Sequence, residues 1–370
     1  MIPEAPVWLI LLAFIGAIAV LVFFHELGHY LMARLFGIPA ETFSIGFGQE
    51  LFGWTDKQGT RWKVAWLPLG GYVKFVGDMT PASNPIELTS IPQHLREHAF
   101  QLRPVWQRFL VVLAGPLANF LLAILIFTAV FTLISAPETN RIGKIEPKSA
   151  ASTAGFQEGD RILSIAGHRT TSFNDVRSVV ERIPNQTVAI EFQRERAIDS
   201  IQVKIGTSQV VDERGLEITI GLLGVSAAPV SLFKAIPLAT EETVRITGSV
   251  VQGLARLIIG KGSRKDMGGP IRIAQFAGQA ASLGVLPFVE LLALLSINLG
   301  FINLLPVPLM DGGHLFFYGL EAIRRRPLNE RALEWAFRGG LAVILALVLF
   351  TTINDLGSLG LWDRLQRLIG

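Results

Sequence analysis

The chain has 370 residues, of which 50% are hydrophobic and 17% charged, and its mean hydropathy is +0.46. This composition is typical of membrane proteins that also carry a soluble part. The net charge of +3 is too small to indicate nucleic-acid binding, and the absence of cysteine excludes disulfides and thiolate metal ligands.

The first predicted element is an apolar helix that contains the pattern His25-Glu26-Leu27-Gly28-His29. The apolar run is long enough to span a bilayer, and no basic region precedes it, so we do not expect a cleavable signal peptide. His25 and His29 lie one turn apart on one helix face and can bind one zinc ion, while Glu26 can act as general base on a zinc-bound water. Ionisable residues in a span are costly unless they are paired or metal-bound, which favours function. The alternatives are a core helix whose histidines are hydrogen-bonded and a chance match to the sequence pattern.

Four membrane spans are predicted from runs of about 20 apolar residues. They lie roughly at Val7–Phe36, Phe109–Ile134, Pro287–Leu309 and Trp335–Ile353. Basic residues concentrate between spans one and two and between spans three and four, and the tail before Val7 has none. This distribution predicts that those two loops are cytoplasmic and that both termini lie outside.

The segment between spans one and two alternates apolar and polar residues over Glu41–Phe52 and Thr60–Val76. This alternation predicts short β-strands whose apolar content brings them toward the membrane. An unpaired strand edge there could accept an extended peptide, but a cytoplasmic hairpin without such a role is an equal alternative. Residues 81–98 are polar and predicted to be irregular.

Span two opens with Ala114-Gly115-Pro116-Leu117-Ala118-Asn119. Gly115 and Ala118 favour close helix packing, and Asn119 needs a polar partner in lipid. We interpret this motif as a packing motif in preference to a catalytic one.

A soluble segment follows the second span, with short β-like runs and one helical pattern over Ser172–Arg182, capped by Ser172 or Asn174. It resembles a bacterial PDZ domain, in which a helix and a strand form a groove for an extended peptide. Residues 221–225 could receive a terminal carboxylate, although an ordinary strand-loop is as plausible. Ser231–Gly260 is predicted to be an amphipathic helix lying on the membrane or the protein.

A catalytic zinc ion takes three protein ligands and keeps one position for water. Asp311 is the candidate third ligand because spans one and three both run inward, so it and the histidine pair fall at cytoplasmic ends. Pro306 and Pro308 interrupt the helix before Asp311, and such unwound backbone should line an enclosed polar cavity. The alternative for Asp311 is a helix cap in water.

Together these motifs resemble the site-2 protease family of intramembrane zinc metalloproteases, and most nearly its bacterial regulator-of-sigma-E protease group. The resemblance implies zinc ligation by His25, His29 and Asp311, with Glu26 as the catalytic base. It also implies that Asn303 and Asn298 hold the substrate.

The same resemblance implies cleavage of single-span membrane proteins, such as anti-sigma factors already trimmed by another protease, and of remnant signal peptides. It implies a multi-pass protein of the bacterial inner membrane, with the PDZ-like domain on the periplasmic side and open to a peptide tail. The best-known members carry two tandem PDZ domains, whereas this chain has one. A catalytically silent PDZ-bearing scaffold and a metal-binding transporter are the alternatives. The presence of Glu26 and Asp311 disfavours the scaffold, and the lack of an inverted repeat disfavours the transporter.

The expected architecture is an α-helical membrane protein with four transmembrane helices, a membrane-associated β-region and one extracytoplasmic PDZ-like α+β domain. Its predicted segments are helix 1 (1–36), the β-region and loop (37–107), helix 2 (108–135), the PDZ-like domain (138–228), an amphipathic linker (229–284), helix 3 (285–312), a cytoplasmic loop (313–334), helix 4 (335–354) and a C-terminal tail (355–370).

Overall fold

The computed structural model describes the chain in six stretches, which form two compact units. The first unit comprises residues 1–123 and 243–370, and the second comprises residues 124–242. The described residues are 5–77, 93–137, 139–211, 217–260, 268–326 and 328–358.

Four of the described helices are long and apolar enough to cross a membrane. They are α1 (Val7–Leu35), α3 (Val105–Leu133), α8 (Val285–Leu304) and α10 (Glu330–Ser358). Large apolar side chains remain exposed along them, among them Leu345 and Leu349 of α10, as expected of helix faces that meet lipid. The four predicted spans are confirmed, and the chain is a multi-pass membrane protein.

The end of the third span differs from its prediction. Helix α8 ends at Leu304, before the predicted limit, and a separate helix, α9 (Asp311–Arg324), occupies much of the segment 313–334 that was predicted to be a loop. Pro306 and Pro308 cannot continue α8. A Cβ on Gly312 would lie 2.1 Å from the Leu305 carbonyl oxygen, so only glycine permits this tight reversal. The arginines that suggested a loop belong to the last turn of α9 and the residues after it, while its Leu315 and Tyr318 are buried.

Strands β1 (Ala40–Thr55) and β2 (Arg61–Phe75) fold back on each other as an irregular antiparallel sheet. Residues 42–45 of β1 pair with residues 71–74 along one side and with residues 61–64 along the other, and residues 52–55 complete the far side. The sheet therefore has residues 71–74 at one edge.

Positive φ angles at Gly46 (89°) and Gly70 (105°) let the two strands bend between their halves. Phe43 stacks on Trp62 with ring centroids 4.3 Å apart, and Tyr30 of α1 packs edge-on against both rings. This aromatic cluster attaches the sheet to α1. The predicted irregular segment 81–98 is described only from residue 93, where α2 (Gln93–Arg96) forms a single helical turn, followed by a 3-10 turn at Phe100–Leu102.

Two further helices follow the α+β domain in the sequence. Helix α6 (Leu232–Ile258) corresponds to the predicted amphipathic helix, and α7 (Pro270–Leu283) leads to α8. The N-terminus of α7 is held by Asp355, whose buried carboxylate accepts hydrogen bonds from the backbone N–H groups of Gly269 and Arg272. The predicted tail is described only as far as residue 358.

The α+β domain is built from eight strands and two short helices. The elements are β3 (Ile142–Ile145), α4 (Ala150–Ala154), β4 (Arg161–Ile165), β5 (His168–Arg169), α5 (Phe173–Glu181), β6 (Thr187–Arg194), β7 (Ala197–Lys204), β8 (Gly206–Val211), β9 (Glu217–Leu222) and β10 (Val225–Ala227). A four-stranded sheet has the order β5-β4-β6-β7, β10 pairs with β3, and β8 pairs with β9. The core of the domain contains fully buried isoleucines at positions 142, 162, 165 and 190.

The sequence left two candidates for the cap of α5 and two roles for residues 221–225. Ser172 caps α5 in a reciprocal capping box with Asp175, so Asn174 is not the cap. The segment 221–225 is a strand, a two-residue loop and the start of another strand. The carbonyl oxygens of its loop residues Leu223 and Gly224 accept hydrogen bonds from the N–H groups of Ala151 and Glu146 within the domain.

An ion pair between a buried carboxylate and a partly exposed guanidinium joins β6 to the turn before β4. The Asp160 carboxylate accepts hydrogen bonds from Nε and Nη2 of Arg194 at 2.9 and 2.8 Å and from the Gln157 N–H at 2.8 Å. Burial alone would raise the pKa of the Asp160 carboxyl, but these hydrogen bonds and the Arg194 charge hold the pKa below its usual value. The stability that this carboxylate contributes is therefore present above its unfolded pKa of about 4, and it is lost as the pH falls below that value.

We predict that Asp160→Asn destabilises the domain by about 2 kcal/mol, less than the roughly 3–5 kcal/mol of a fully buried broken pair because Arg194 is partly exposed. Hydrogen exchange of β4 and β6 in the intact protein should then be roughly 30-fold faster. The control is Glu181→Gln, which removes the surface pair with Arg177 and should change exchange little. Equal effects of the two substitutions would contradict this account of Asp160.

Candidate metal centre

Three side chains from two distant parts of the chain converge at one point. Nε2 of His25 lies 3.3 Å from Nε2 of His29, and Oδ2 of Asp311 lies 3.1 Å and 3.5 Å from these two nitrogens. Four tetrahedral ligands held about 2.0–2.1 Å from a zinc ion are roughly 3.3 Å apart. Within the part of the chain that the structure describes, this is the one cluster of three such residues with metal-ligand spacing.

The chemistry of the donor set fits the same ion. Both imidazoles are buried, and Oδ2 of Asp311 is buried without a hydrogen bond from any described residue. A buried carboxylate oxygen needs a compensating positive charge. Two imidazole nitrogens and one carboxylate oxygen are ligands that zinc takes in catalytic sites, where a fourth position serves water. The residues therefore fit a catalytic zinc ion.

Helix α3 orients both imidazoles. Nδ1 of His29 lies 2.9 Å from the carbonyl oxygen of Val111, so Nδ1 carries the proton and Nε2 keeps its lone pair for a metal. Nδ1 of His25 lies 3.1 Å from the side-chain nitrogen Nδ2 of Asn119. For Nδ1 of His25 to carry the proton as well, it needs a hydrogen-bond acceptor at this position. Turning the Asn119 amide by half a turn exchanges its nitrogen and oxygen and provides that acceptor.

Small residues let α1 and α3 approach closely at this point. A Cβ on Gly115 would lie 2.2 Å from Nε2 of His29, and a Cβ on Gly28 would lie 2.3 Å from the Ala114 carbonyl oxygen. Close packing at Gly115 was predicted from the sequence, and Asn119 was interpreted as part of the same packing motif. Neither residue was connected to the histidines. Their i, i+4 spacing, which matches that of His25 and His29, was the available signal.

A cavity of about 390 Å³ opens beside the three candidate ligands. Glu26 lines it, close to the Val73 backbone, to which its carboxylate is hydrogen-bonded. Asn303 also lines the cavity, whereas Asn298 does not and instead donates to the Leu294 carbonyl oxygen at 2.8 Å within α8. Five of the six predicted site residues thus share one cavity.

His314 lines the cavity as well, although it is not among the predicted site residues. It follows Asp311 by three positions on α9 and therefore lies on the same helix face. Its imidazole lines the cavity, packs against the ring of Phe337 and makes no hydrogen bond to a described residue. It lies outside the ligand cluster, so its ring nitrogens are free to contact a bound molecule.

We predict that Gly115→Ala abolishes most metal binding, because His29 would have to move by roughly 1 Å while ligand distances tolerate only about 0.2 Å. Zinc content after purification, measured by elemental analysis, is the test. Gly16→Ala is the matched control, since no atom lies within 4 Å of a Cβ placed on that glycine of α1. A fully zinc-loaded Gly115→Ala protein would contradict the packing argument.

Comparison with known proteins agrees with this geometry. The profile of "Peptidase family M50" matches residues 13–347. The Agrobacterium fabrum protein named "Putative zinc metalloprotease Atu1380" is 41% identical over 358 residues, covering 94% of this chain and 95% of that protein. The Caulobacter vibrioides protein named "Metalloprotease MmpA" is 37% identical over 383 residues, covering 94% and 95%.

Among solved structures, the PDZ domain of the SdrC-like protein from Listeria monocytogenes matches 24% of this chain and 85% of that domain, with 16% identity and a TM-score of 0.19. That score is too low to decide the fold of the α+β domain, which its own strand order defines. The family profile and the relatives, by contrast, cover almost the whole chain. The chain belongs to peptidase family M50, the site-2 protease family, and is a zinc metalloprotease.

Proposed function

We propose that this protease cleaves peptide bonds within the membrane-spanning segments of single-span membrane proteins. His25, His29 and Asp311 would bind the zinc ion, and Glu26 would be the catalytic base. The observation that carries the proposal is the convergence of three candidate ligand atoms within 3.5 Å beside a cavity that Glu26 also lines. The surrounding helices are apolar enough to lie in a bilayer, so the cavity is suited to a substrate that arrives from lipid.

Three polar side chains of the cavity, besides the candidate ligands, have a part in the proposed reaction. Bound zinc would supply a polarised carbonyl and an acidified water. Glu26 takes a proton from the attacking water and delivers it to the leaving amide nitrogen. Asn303 and His314 line the cavity and can donate hydrogen bonds to the substrate backbone. Asn298 would first have to release the Leu294 carbonyl oxygen, so we assign it a lesser role in substrate binding.

The sheet edge at residues 71–74, which pairs with no further described strand, is the proposed substrate platform. Gly71, Tyr72 and Val73 line the same cavity as Glu26. A transmembrane helix must unwind before its peptide bond can be cut, which leaves backbone groups unsatisfied at a cost of several kcal/mol each in lipid. Pairing with the edge would replace those hydrogen bonds and hold the substrate extended beside the catalytic base.

The finer assignment follows the resemblance to the regulator-of-sigma-E protease group. The substrates would be anti-sigma factors trimmed beforehand by another protease, and remnant signal peptides. The enzyme would lie in the bacterial inner membrane, with the PDZ-like domain on the periplasmic side, where it would filter substrates or bind a peptide tail. A silent scaffold or a metal transporter would leave the placement of Glu26 beside the ligand cluster without a purpose.

We predict that Glu26→Gln abolishes cleavage of a membrane-embedded model substrate but retains zinc, since it removes the base and leaves the ligands intact. Loss of a general base typically costs about 10²–10⁴-fold in rate. Asp311→Asn should instead lose zinc as well as activity. Both variants are compared by elemental analysis and a cleavage assay in proteoliposomes. Normal turnover by Glu26→Gln, or unchanged zinc in Asp311→Asn, would refute the respective assignment.

The sheet edge can be tested by disulfide cross-linking, because the natural chain has no cysteine. In a Glu26→Gln background, Tyr72→Cys should cross-link to substrate cysteines at every second position, since side chains alternate along a paired strand. Lys57→Cys, in the exposed turn between β1 and β2, is the control and should not cross-link. Cross-links with helical spacing, or equal yields from both cysteines, would rule out strand addition.

A further inference from the structure

We propose that the α+β unit carries a binding site for the phosphate of an anionic phospholipid headgroup, at the membrane-water boundary. The site is a cleft of about 460 Å³ that is separate from the candidate metal centre. The residues that define it are Arg141, Arg161 and Lys234, together with the threonines at positions 139 and 171.

The position of the cleft relative to the membrane follows from its attachment to a membrane-spanning helix. Helix α3 ends at Leu133, and the N–H of Val230 donates to the Phe131 carbonyl oxygen at 2.9 Å. The Ala136 N–H donates to the Ala228 carbonyl oxygen at 3.1 Å. Residues 228–231 line the cleft. These hydrogen bonds fix the cleft at the end of a span, where phospholipid headgroups lie.

The charges of the cleft are positive and uncompensated. The side chains of Arg141, Arg161 and Lys234 are exposed, and none of them pairs with a carboxylate of a described residue. Nε of Arg161 donates to the Asn140 side-chain oxygen at 2.8 Å, which leaves its terminal nitrogens available. No acidic residue lines the cleft among the described residues, and Glu138 lies outside them. The hydroxyls of Thr139 and Thr171 already donate to the Ala136 carbonyl oxygen and to the Asp175 carboxylate, so the guanidinium and ammonium groups are what suits a phosphate here.

The apolar residues beside the cleft favour a lipid over a soluble anion. Helix α6 begins next to it, and its first turns expose Leu232, Phe233 and Ile236, with Phe233 88% exposed. Leu133, at the end of α3, is 76% exposed. Large apolar side chains around a basic cleft are typical of surfaces that insert into the interface and bind acidic headgroups. A free phosphate or a peptide carboxylate would make no use of them.

The test compares lipid binding by two charge-matched variants of the full-length protein. The first carries Arg141→Gln, Arg161→Gln and Lys234→Gln. The second carries Arg169→Gln, Arg182→Gln and Arg196→Gln, which remove the same charge from exposed positions of the same domain that lie outside the cleft. Native mass spectrometry, on protein from nanodiscs of phosphatidylcholine with or without phosphatidylglycerol, counts the retained lipids. Inorganic phosphate and a peptide with an acidic C-terminus are the competitors.

We expect the natural chain and the second variant to retain phosphatidylglycerol selectively. The first variant should bind it roughly 100-fold more weakly, since each surface cation contributes on the order of five-fold. Three results would overturn the proposal: equal loss in both variants, no preference over phosphatidylcholine, or displacement of the lipid by millimolar phosphate or by the peptide. Circular dichroism of both variants establishes that they are folded.

Discussion

The cost of placing ionisable side chains inside apolar helices governs the rest of this structure. His25, Glu26 and His29 lie in α1, a helix long and apolar enough to span a bilayer, where a charged group is costly. Asp311 is brought to the histidines from a point almost 300 residues further along the chain. This convergence gathers the two imidazoles and the Asp311 carboxylate into one cluster, where each lowers the free-energy cost of burying the others. A bound divalent cation would lower that cost further. The third span ends before Pro306 and Pro308, and the reversal of the chain there places the Asp311 carboxylate beside the histidines.

The close contact between α1 and α3 is the second requirement. Imidazole ligands must hold both their position and their tautomer, and here the same helix provides both. Gly115 supplies the space that His29 occupies, while the Val111 carbonyl and the Asn119 amide fix which ring nitrogen faces the centre. Ser296 of α8 donates to the Asn119 carbonyl oxygen at 2.7 Å and so ties the third span to the same turn of α3. Small side chains and buried polar contacts thus replace the hydrophobic driving force that lipid does not provide between helices.

Much of this could be predicted from the sequence because its signals are local. A run of apolar residues defines a span, an i, i+4 histidine pair defines a shared helix face, and Ser172 followed by Asp175 defines a helix start. What could not be predicted depends on contacts between distant segments. The i, i+4 spacing of Gly115 and Asn119 matches that of the histidines but does not show that Asn119 touches His25. The pairing of residues 42–45 with two different parts of β2 has no local pattern. Helix α9 was missed because its arginines suggested a loop, whereas its opposite face is buried. The β8–β9 hairpin was not predicted because the first four residues of β8 carry no large apolar side chain.

A free strand edge is normally a liability, because its unpaired backbone groups invite aggregation. Within a membrane the liability is larger, since neither water nor lipid can satisfy those groups. The edge at residues 71–74 faces the cavity, where polar groups of Glu26 and Asn303 are also found. The same unpaired edge that would destabilise an ordinary membrane protein would, on the proposed function, serve a protease that unwinds its substrate helix. A substrate helix would give up its internal hydrogen bonds only where others replace them, so strand pairing and cleavage would then occur at one place. The sheet that offers this edge is attached, through Tyr30 and Phe43, to the helix that carries the histidines.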